Sequence, residues 1–224
     1  MGMAEVLDTR DARAAFITSH TVVDAPPLLP ELRLHLATEV TPLWEATEEY
    51  LERNGVPPPY WAFAWAGGQA LARWIIDNPE SVAGKRVLVF AAGCGVDAIA
   101  CAKAGASAVW ANEIDAFALT AMELNAALND VPLTALPDDL IGSLDPAWDV
   151  VIAGDVCYER PMAERVMTWL RALVADGRTV YLADPGRNYF NADGMEKLGA
   201  YQVRTTVDLE GCVSRHAGVY RVIR

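Results

Sequence analysis

The sequence of 224 residues is poor in histidine and cysteine, with three and four copies respectively. The cysteines show no CxxC spacing and no nearby histidine pair, so they fit reduced core thiols better than a zinc or disulfide framework. His20, His35 and His216 fall in separate elements without an evident nucleophile beside them. We therefore predict no metal site, and we find no support for serine, cysteine or metal hydrolase chemistry.

Long apolar runs and an excess of basic residues are also missing. No apolar run reaches the ~18 residues of a membrane-spanning helix, and the first residues lack the order of a secretory signal. We therefore expect no membrane association and a cytoplasmic location. The net charge of −12 argues against nucleic acid as a partner, because such binding needs basic patches. It suits a lysine-bearing protein surface, although plain solubility explains it equally well.

Apolar residues make up 53% of the chain, which is enough for a full core. Their pattern predicts five buried strands that alternate with helices, then two strands joined by a short link. The predicted strands are 85–90, 108–115, 131–136, 147–154, 178–183, 201–209 and 216–223. The fold class is therefore α/β, with five parallel strands and an antiparallel C-terminal pair. Residues 1–60 lack this alternation and are predicted to form an extension packed on a core domain of 61–224. We also predict helices over residues 9–19 and 41–53 in the extension and over residues 70–78 in the core domain.

The stretch from residue 85 to residue 115 organises that core. Its first strand ends in a Gly-Cys-Gly turn, where backbone can approach a ligand closely. Its second strand delivers Glu113, 22 residues after Ala91, and a carboxylate there suits two ribose hydroxyls. The pattern predicts a nucleoside-binding βαβ unit. The predicted cofactor contacts from its two turns are Ala91, Ala92, Gly93, Gly95, Asn112, Glu113 and Ile114.

The glycine turn also bears on which nucleoside binds. A third glycine is missing, and Asp97 follows Gly95 after one residue. A carboxylate there would lie at the N-terminus of the helix, where a pyrophosphate would accept hydrogen bonds from the backbone amide groups. S-adenosylmethionine (SAM) has no phosphate and carries a positive sulfonium, so it tolerates the acid. The sequence thus favours SAM and leaves a nicotinamide-dependent oxidoreductase as an alternative.

Residues 56–69 are the most unusual segment, with three prolines, four aromatic residues within six positions, and a glycine pair. Aromatic faces attract cations such as a sulfonium or an ammonium, although each ring fits a core position equally well. We predict that Trp65, Gly67 and Gly68 contact the cofactor. Trp61 and Phe63 are predicted to line the path of the substrate.

Polar residues follow the third, fourth and fifth strands of the predicted sheet. Ligands of open α/β sheets bind outside the carboxyl ends of the strands, so these residues are expected to meet at one edge. We predict cofactor contacts from Asp138, Asp139 and Gly154, catalytic roles for Asp155 and Tyr158, and substrate contacts from Asp184 and Arg187. For Asp138 and Asp139, a turn or helix-cap role remains an equal alternative.

These motifs, taken in order, resemble the electron-transfer flavoprotein β-subunit lysine methyltransferases. The resemblance spans about residues 57 to 190 and includes the aromatic segment, both turns of the βαβ unit, the Asp-x-x-Tyr of Asp155 and Tyr158, and the Asp-Pro-Gly-Arg that ends at Arg187. It implies the Rossmann-like seven-stranded sheet of class I SAM methyltransferases. It also implies methylation of lysine side chains on the flavoprotein, near the surface where dehydrogenase partners dock.

The sequence departs from that family at three positions. Val89 replaces an acid and Ala91 replaces the first glycine of the turn, while Glu113 stands where the family tends to carry aspartate. Loss of the acid at position 89 is expected to weaken cofactor binding, and the changes at 89 and 91 together keep open a non-catalytic interaction module. Another protein substrate, such as a ribosomal protein, and a small amine also remain alternatives.

The resemblance implies different roles for Asp155 and Tyr158 in methyl transfer. Methyl transfer requires a neutral lysine amine aligned with the methyl carbon. Asp155 is expected to hold the entering ammonium and then accept a hydrogen bond from the amine, while Tyr158 orients its lone pair. The alternative for Asp155 is a strand-end cap for the next helix.

Overall fold

The computed structural model describes residues 9–38 and 58–223. The strands in this part of the chain are β1 (Val22–Asp24), β2 (Leu34–Leu36), β3 (Arg86–Phe90), β4 (Ala108–Asn112), β5 (Thr134–Leu136), β6 (Val150–Gly154), β7 (Thr179–Asp184), β8 (Met195–Arg204) and β9 (Ser214–Val222). The helices are α1 (Arg10–His20), α2 (Ala66–Asp77), α3 (Val96–Lys103), α4 (Ala116–Leu128), α5 (Arg160–Ala175) and the short α6 (Val207–Glu210).

Seven strands form one sheet in the order β5-β4-β3-β6-β7-β9-β8. Strands β3 to β7 are mutually parallel, and β9 runs antiparallel to both β7 and β8. This confirms the predicted α/β sheet with an antiparallel C-terminal pair. The chain leaves β3 toward β4 on one side and later adds β6 on the other. The carboxyl end of β3 is therefore a topological switch point, where such sheets bind ligands.

The central strands are apolar throughout because helices cover both faces of the sheet. Val87 and Val89 of β3 share a core cluster with Leu71 of α2. Leu88 and Phe90 point the other way and pack on α5, where the ring of Phe90 lies 5.0 Å from that of Trp169. The absence of polar alternation in β3 thus reflects burial on both sides.

The described N-terminal residues pack on the helix that follows β4. Thr9 caps α1 by accepting a hydrogen bond from the backbone of Ala12 at 3.2 Å, as expected for a helix over residues 9–19. Ile17 packs with Phe117 in a third core cluster, and β2 is tied to α4 through Asn125. The helix predicted over residues 41–53 lies outside the described residues, and the domain boundary at residue 60 stays a prediction.

Several element boundaries differ from the predictions. Helix α2 begins at Ala66 instead of residue 70, β5 and β6 each begin three residues later than predicted, and the strand predicted over 201–209 is β8, which runs from Met195 to Arg204. The residues after β8 form α6 because the Thr206 hydroxyl accepts from the Leu209 amide at 3.3 Å and caps a helical turn. An irregularity between Lys197 and Gly199 breaks the alternation of β8. The first half of this edge strand therefore has no regular pattern in the sequence.

All four cysteines are free, and Cys94, Cys101 and Cys157 are buried. Burial raises the pKa of the Cys94 thiol to about 12, so it stays protonated and unreactive. This agrees with the assignment of Cys94, Cys101 and Cys157 as core thiols, whereas Cys212 is only half-buried. None of the helices in the described part of the chain is long and apolar enough to cross a membrane.

Candidate active site

The turn after β3 lies at the switch point of the sheet and has unusual backbone geometry. Ala91, Gly93 and Gly95 all have positive φ, at 51°, 51° and 81°. A side chain on Gly95 would come within 2.8 Å of Cβ of Met122, so packing against α4 requires glycine there. At Gly93 nothing lies within 4 Å of the position of a Cβ. The turn therefore presents bare backbone to open space at Gly93.

Glu113 lies beside this open position. Its Oε2 accepts a hydrogen bond from the Gly93 amide at 3.2 Å, and its Oε1 accepts from the Ile114 amide at 2.9 Å. Burial raises the pKa of the Glu113 carboxyl group, and the backbone donors oppose that shift. The neighbouring Ile114 is 73% exposed. A carboxylate and an apolar side chain thus flank the glycine turn, a combination that suits a ribose and a flat base.

Three other predicted cofactor contacts, Asn112, Asp138 and Asp139, lie at or near the loop after β5. The buried Asn112 donates to the backbone oxygens of Leu136 and Asp138, both at 2.8 Å. It therefore fixes the loop after β5. Asp138 and Asp139 are exposed, and Asp139 pairs with Arg165 at 3.2 Å. Contacts of these three residues with a cofactor stay predictions.

Asp155 follows β6 in a left-handed conformation, with φ at 60°. Its Oδ1 lies 2.5 Å from Nε of Arg187, and its Oδ2 accepts from Nη2 of Arg187 and from the Gly67 amide, both at 3.0 Å. These three bonds leave one lone pair on Oδ1, since a carboxylate has about four acceptor sites. Asp155 thus caps the first turn of α2, a helix that precedes it in the chain, and not the helix that follows it.

Arg187 is shared between two carboxylates. Its Nη1 and Nη2 donate to Oε2 and Oε1 of Glu210 at 2.8 and 3.0 Å. Burial lowers its pKa, but hydrogen bonds and charge from Asp155 and Glu210 outweigh burial and raise the pKa. Its guanidinium carbon also lies 5.7 Å from the centroid of the Trp65 ring. Sequence reasoning missed Glu210, since no motif marks it and only strand order brings it to Arg187.

Asp184 supports Arg187 from the turn after β7. Its Oδ1 accepts from the amides of Gly186 and Arg187, both at 2.7 Å, and burial raises the pKa of its carboxyl group to about 6. The structure thus places Asp184 and Arg187, both predicted to bind substrate, in an internal network. Direct contacts of Asp184 and Arg187 with a substrate stay predictions.

The aromatic segment divides between core and surface. Trp61 is fully buried and stacks on Phe117 at 5.9 Å. No part of Trp61 reaches the surface in this arrangement, so the structure gives no support to its predicted contact with the substrate. Tyr60 and Tyr158 are 54% and 46% exposed, and their rings lie 6.0 Å apart. Tyr60, which the sequence reasoning did not select, is therefore exposed beside Tyr158, whereas Trp61 is not.

Trp65 and Phe63 lie next to that pair of tyrosines and are partly exposed. The Trp65 ring lies 6.0 Å from the Tyr60 ring and 5.8 Å from the Phe63 ring. Its indole nitrogen donates to the backbone oxygen of Tyr60 at 2.9 Å. The rings thus form one aromatic surface beside Asp155, with Arg187 on one side of Trp65.

The glycines at the start of α2 have close protein neighbours. A Cβ on Gly67 would lie 2.8 Å from the Asp155 nitrogen, and one on Gly154 would lie 2.8 Å from the Gly68 Cα. Close packing of α2 on the ends of β6 and β7 therefore accounts for these glycines. Their predicted contact with a cofactor remains untested.

Asp97 is buried in the same contact between α2 and β6. Its Oδ1 lacks a hydrogen-bond partner, and burial, with the charge of Asp155, raises its pKa well above the ordinary value. It does not face the ligand end of α3. Asp97 therefore does not oppose a pyrophosphate at the turn, contrary to the expectation from the sequence.

The fold and this edge define a class of protein. A glycine turn at the switch point, an acid ending the next strand and an antiparallel last strand together characterise class I SAM-dependent methyltransferases. The open position at Gly93, the Glu113 carboxylate and the exposed Ile114 fit the adenosyl part of SAM.

Comparison with known proteins identifies the family. The family model for ribosomal protein L11 methyltransferase (PrmA) matches residues 74–171. The electron transfer flavoprotein beta subunit lysine methyltransferase of Danio rerio is 36% identical over 94% of this chain and 83% of its own length. That of Xenopus laevis is 41% identical over 80% and 72%. The chain belongs to the electron transfer flavoprotein beta subunit lysine methyltransferase family.

A solved structure supports the fold independently. Magnesium protoporphyrin IX methyltransferase from Synechocystis PCC 6803, with bound S-adenosylhomocysteine (SAH), has a TM-score of 0.50 at 18% identity, covering 67% of this chain and 79% of that one. The family assignment makes the nicotinamide-dependent and non-catalytic alternatives unnecessary.

Proposed function

We propose that this chain transfers methyl groups from SAM to lysine side chains of the electron transfer flavoprotein β subunit. The observation that carries the proposal is the length of the match. The similarity to the Danio rerio relative covers 94% of the chain, so it extends beyond the cofactor unit into segments that can recognise a substrate. The net charge of −12 favours a substrate surface that presents lysine.

SAM supplies a methyl group that is already activated by its sulfonium. The chain holds the cofactor with the backbone around Ala91, Ala92, Gly93 and Gly95, the Glu113 carboxylate and the apolar side chain of Ile114. Asn112, Asp138, Asp139 and Gly154 complete the proposed contacts at the edge, together with Trp65, Gly67 and Gly68. Glu113 accepts from the two ribose hydroxyls in this arrangement.

Asp155 and Tyr158 act on the lysine. The free lone pair on Oδ1 of Asp155 accepts one N–H of the amine, while Arg187 and Gly67 keep the carboxylate in place. Burial and nearby negative groups raise the pKa of Tyr158, so its hydroxyl stays protonated and donates or accepts a hydrogen bond. Because free lysine has a pKa of about 10.4, the substrate ammonium first loses a proton to solvent, and the neutral amine that remains then attacks the methyl carbon.

The aromatic surface receives the cationic product. Each methyl group added makes the lysine nitrogen larger and less hydrated, and cation–π contact then contributes on the order of 1 kcal/mol. Tyr60, Tyr158, Trp65 and Phe63 are partly exposed and close together, so they are the candidates for this contact. The substrate lysine thus approaches between Tyr60 and Tyr158.

A methylation assay with defined substrates tests the proposal. Purified electron transfer flavoprotein, ribosomal protein L11 and free lysine are each incubated with the enzyme and labelled SAM, and the labelled protein is mapped by mass spectrometry. We expect methylated lysine on the flavoprotein β subunit only. Label on L11 instead, to which the PrmA match directs attention, would assign the enzyme to a ribosomal protein.

We also propose a cytoplasmic location. A reducing compartment is consistent with four free cysteines. Fractionation of cells that express a tagged chain tests this point separately from the activity.

A further inference from the structure

Glu210 is more deeply buried than either Arg187 or Asp155, its neighbours in the charged network at the active-site edge. Its side chain is 1% exposed, compared with 16% for Arg187 and 6% for Asp155. It ends α6, whose first turn is capped by Thr206 and whose end is marked by Gly211 in a left-handed conformation. A short helix inserted between β8 and β9 therefore delivers a carboxylate to this network.

We infer that Glu210 is a positioning residue for methyl transfer, because it fixes Arg187 and, through Arg187, the carboxylate of Asp155. This inference rests on the proposed function, in which the free lone pair of Asp155 meets the lysine amine. Glu210 does not itself contact the reacting atoms.

The hydrogen-bond geometry shows how Glu210 acts. Arg187 has five N–H donors, and four of them are used: Nε and one on Nη2 for Asp155, the other on Nη2 and one on Nη1 for Glu210. The two carboxylates bind adjacent edges of the planar guanidinium. With only one carboxylate the guanidinium could rotate or slide, whereas two fix its plane and therefore the direction of Oδ1 of Asp155.

Charge alternates along this network. Arg215 approaches Glu210 from the other side, with Nη2 donating to the Glu210 backbone oxygen at 2.7 Å and Nε lying 3.2 Å from Oε2. The order Asp155, Arg187, Glu210, Arg215 therefore sums to zero, with two acids and two bases. Of these four residues, loss of the Glu210 charge leaves Arg187 and the partly exposed Arg215 with Asp155 as the remaining acid, and Arg187 is then free to change its pose on Asp155.

The sheet places Glu210 where it can do this. Gly218 of β9 pairs with Asp184 at the end of β7 and with Ala200 of β8. Strand β8 continues four residues further, to Arg204, so the β8–β9 connection extends beyond the end of β7. The α6 turn thus reaches over the edge from which Asp155 and Arg187 project.

The test compares Glu210→Gln with the wild type in single-turnover methyl transfer to the electron transfer flavoprotein β subunit at saturating SAM. We expect the transfer rate to fall about tenfold or more, since small displacements of positioning groups reduce rates strongly. The affinity for SAH should stay within twofold, because Glu113 and the glycine turn are unchanged. Glu196→Gln is the matched control: it removes an acid of the same hairpin, paired with Arg221 at 2.7 Å and half-exposed.

A second comparison separates positioning from simple loss of stability. If Glu210 acts through Arg187, Glu210→Gln combined with Arg187→Lys should be no slower than Arg187→Lys alone. Glu210→Asp, which keeps the charge but shortens the reach, should transfer at an intermediate rate and is measured if Glu210→Gln does not fold.

Two results overturn the inference: a folded Glu210→Gln enzyme with the wild-type transfer rate, or rate losses that multiply in the double variant. If Glu210→Gln does not fold, a folded Glu210→Asp enzyme with the wild-type transfer rate also overturns the inference. Failure of the proposed function looks different, because the wild type itself would then leave the flavoprotein unmethylated.

Discussion

Arg187 holds Asp155 through two of its nitrogens, with Nε 2.5 Å from Oδ1 and Nη2 3.0 Å from Oδ2. The sequence alone suggested that Asp155 is an open anionic anchor for an ammonium. In the structure its charge is already paired, and the Gly67 amide takes a further acceptor site. Asp155 is therefore better suited to accept one hydrogen bond from a neutral amine than to capture a cation.

Replacement of Asp155 tests this role. Asp155→Asn keeps the size of the side chain but places an N–H₂ donor against Arg187 or the amine, so alignment is lost. We expect the transfer rate to fall on the order of 100-fold or more, while the affinity for SAH stays within about threefold. Calorimetry and single-turnover transfer check the two parts. Glu164→Gln, an exposed acid on α5 paired with Arg160, is the control and should behave as the wild type.

The left-handed Ala91 gives a stability test of the cofactor turn. With φ at 51°, alanine is strained where glycine is not, so Ala91→Gly should raise the free energy of unfolding by about 0.5–1 kcal/mol. The melting temperature should rise by about 1–4 °C for a chain of this size. Ala15→Gly, at an exposed position of α1, should instead destabilise by about 1 kcal/mol. Equal losses from both changes would mean that Ala91 is not strained.

The buried Asp184 gives a pH dependence whose sign is fixed by its pKa. Burial raises that pKa from 3.8 to about 6, so between these values the folded chain holds the proton and the unfolded chain does not. Stability is therefore lost as pH rises from 4 to 6, by about 3 kcal/mol for a shift of two pKa units. Asp184→Asn cannot ionise, and its carbonyl can still accept from the Gly186 and Arg187 amides.

Denaturant unfolding at pH 4.5 and pH 8 checks this prediction. Relative to the wild type, Asp184→Asn should gain stability between the two values. Asp11→Asn, whose acid is almost fully exposed, should show no such gain. A difference between Asp184→Asn and the wild type that is the same at both pH values would contradict a raised pKa.

Trp61 and Trp65 offer a contrast between core and site. Trp61→Phe should lower the free energy of unfolding by about 1–2 kcal/mol, because it shrinks a fully buried side chain. It should leave the KM for the protein substrate unchanged. Trp65→Phe should raise that KM with little effect on stability, since Trp65 is partly exposed beside Tyr60. A raised KM without loss of stability in Trp61→Phe would return Trp61 to the substrate path.

The sequence predicted the parallel core well because burial on both faces leaves apolar runs that no polar residue interrupts. Strand β3 lies within one residue of its predicted bounds. Strand β8 was misplaced because edge strands are half polar, and β8 also carries an irregularity after Lys197. The three-residue β1 is too short to produce a periodic signal.

The site was only partly predictable from the sequence, because some of its contacts join residues that are far apart in the chain. Glu113 and Asp155 were found because they follow strands that the pattern identifies. Glu210 was missed because its partner Arg187 is 23 residues away, and only the strand order β7-β9-β8 joins them. Gly67 was linked to a ligand because glycine permits close approach, but the backbone that approaches it is that of Asp155.

A crystal structure with bound SAH tests the central claim most directly. We expect the two ribose hydroxyls at the Glu113 carboxylate, the nucleoside along the turn at Gly93, and the sulfur on the side of Asp155 and Tyr158. SAH bound away from the Gly93 turn, or with its sulfur facing away from the Asp155 and Tyr158 pair, would contradict the account.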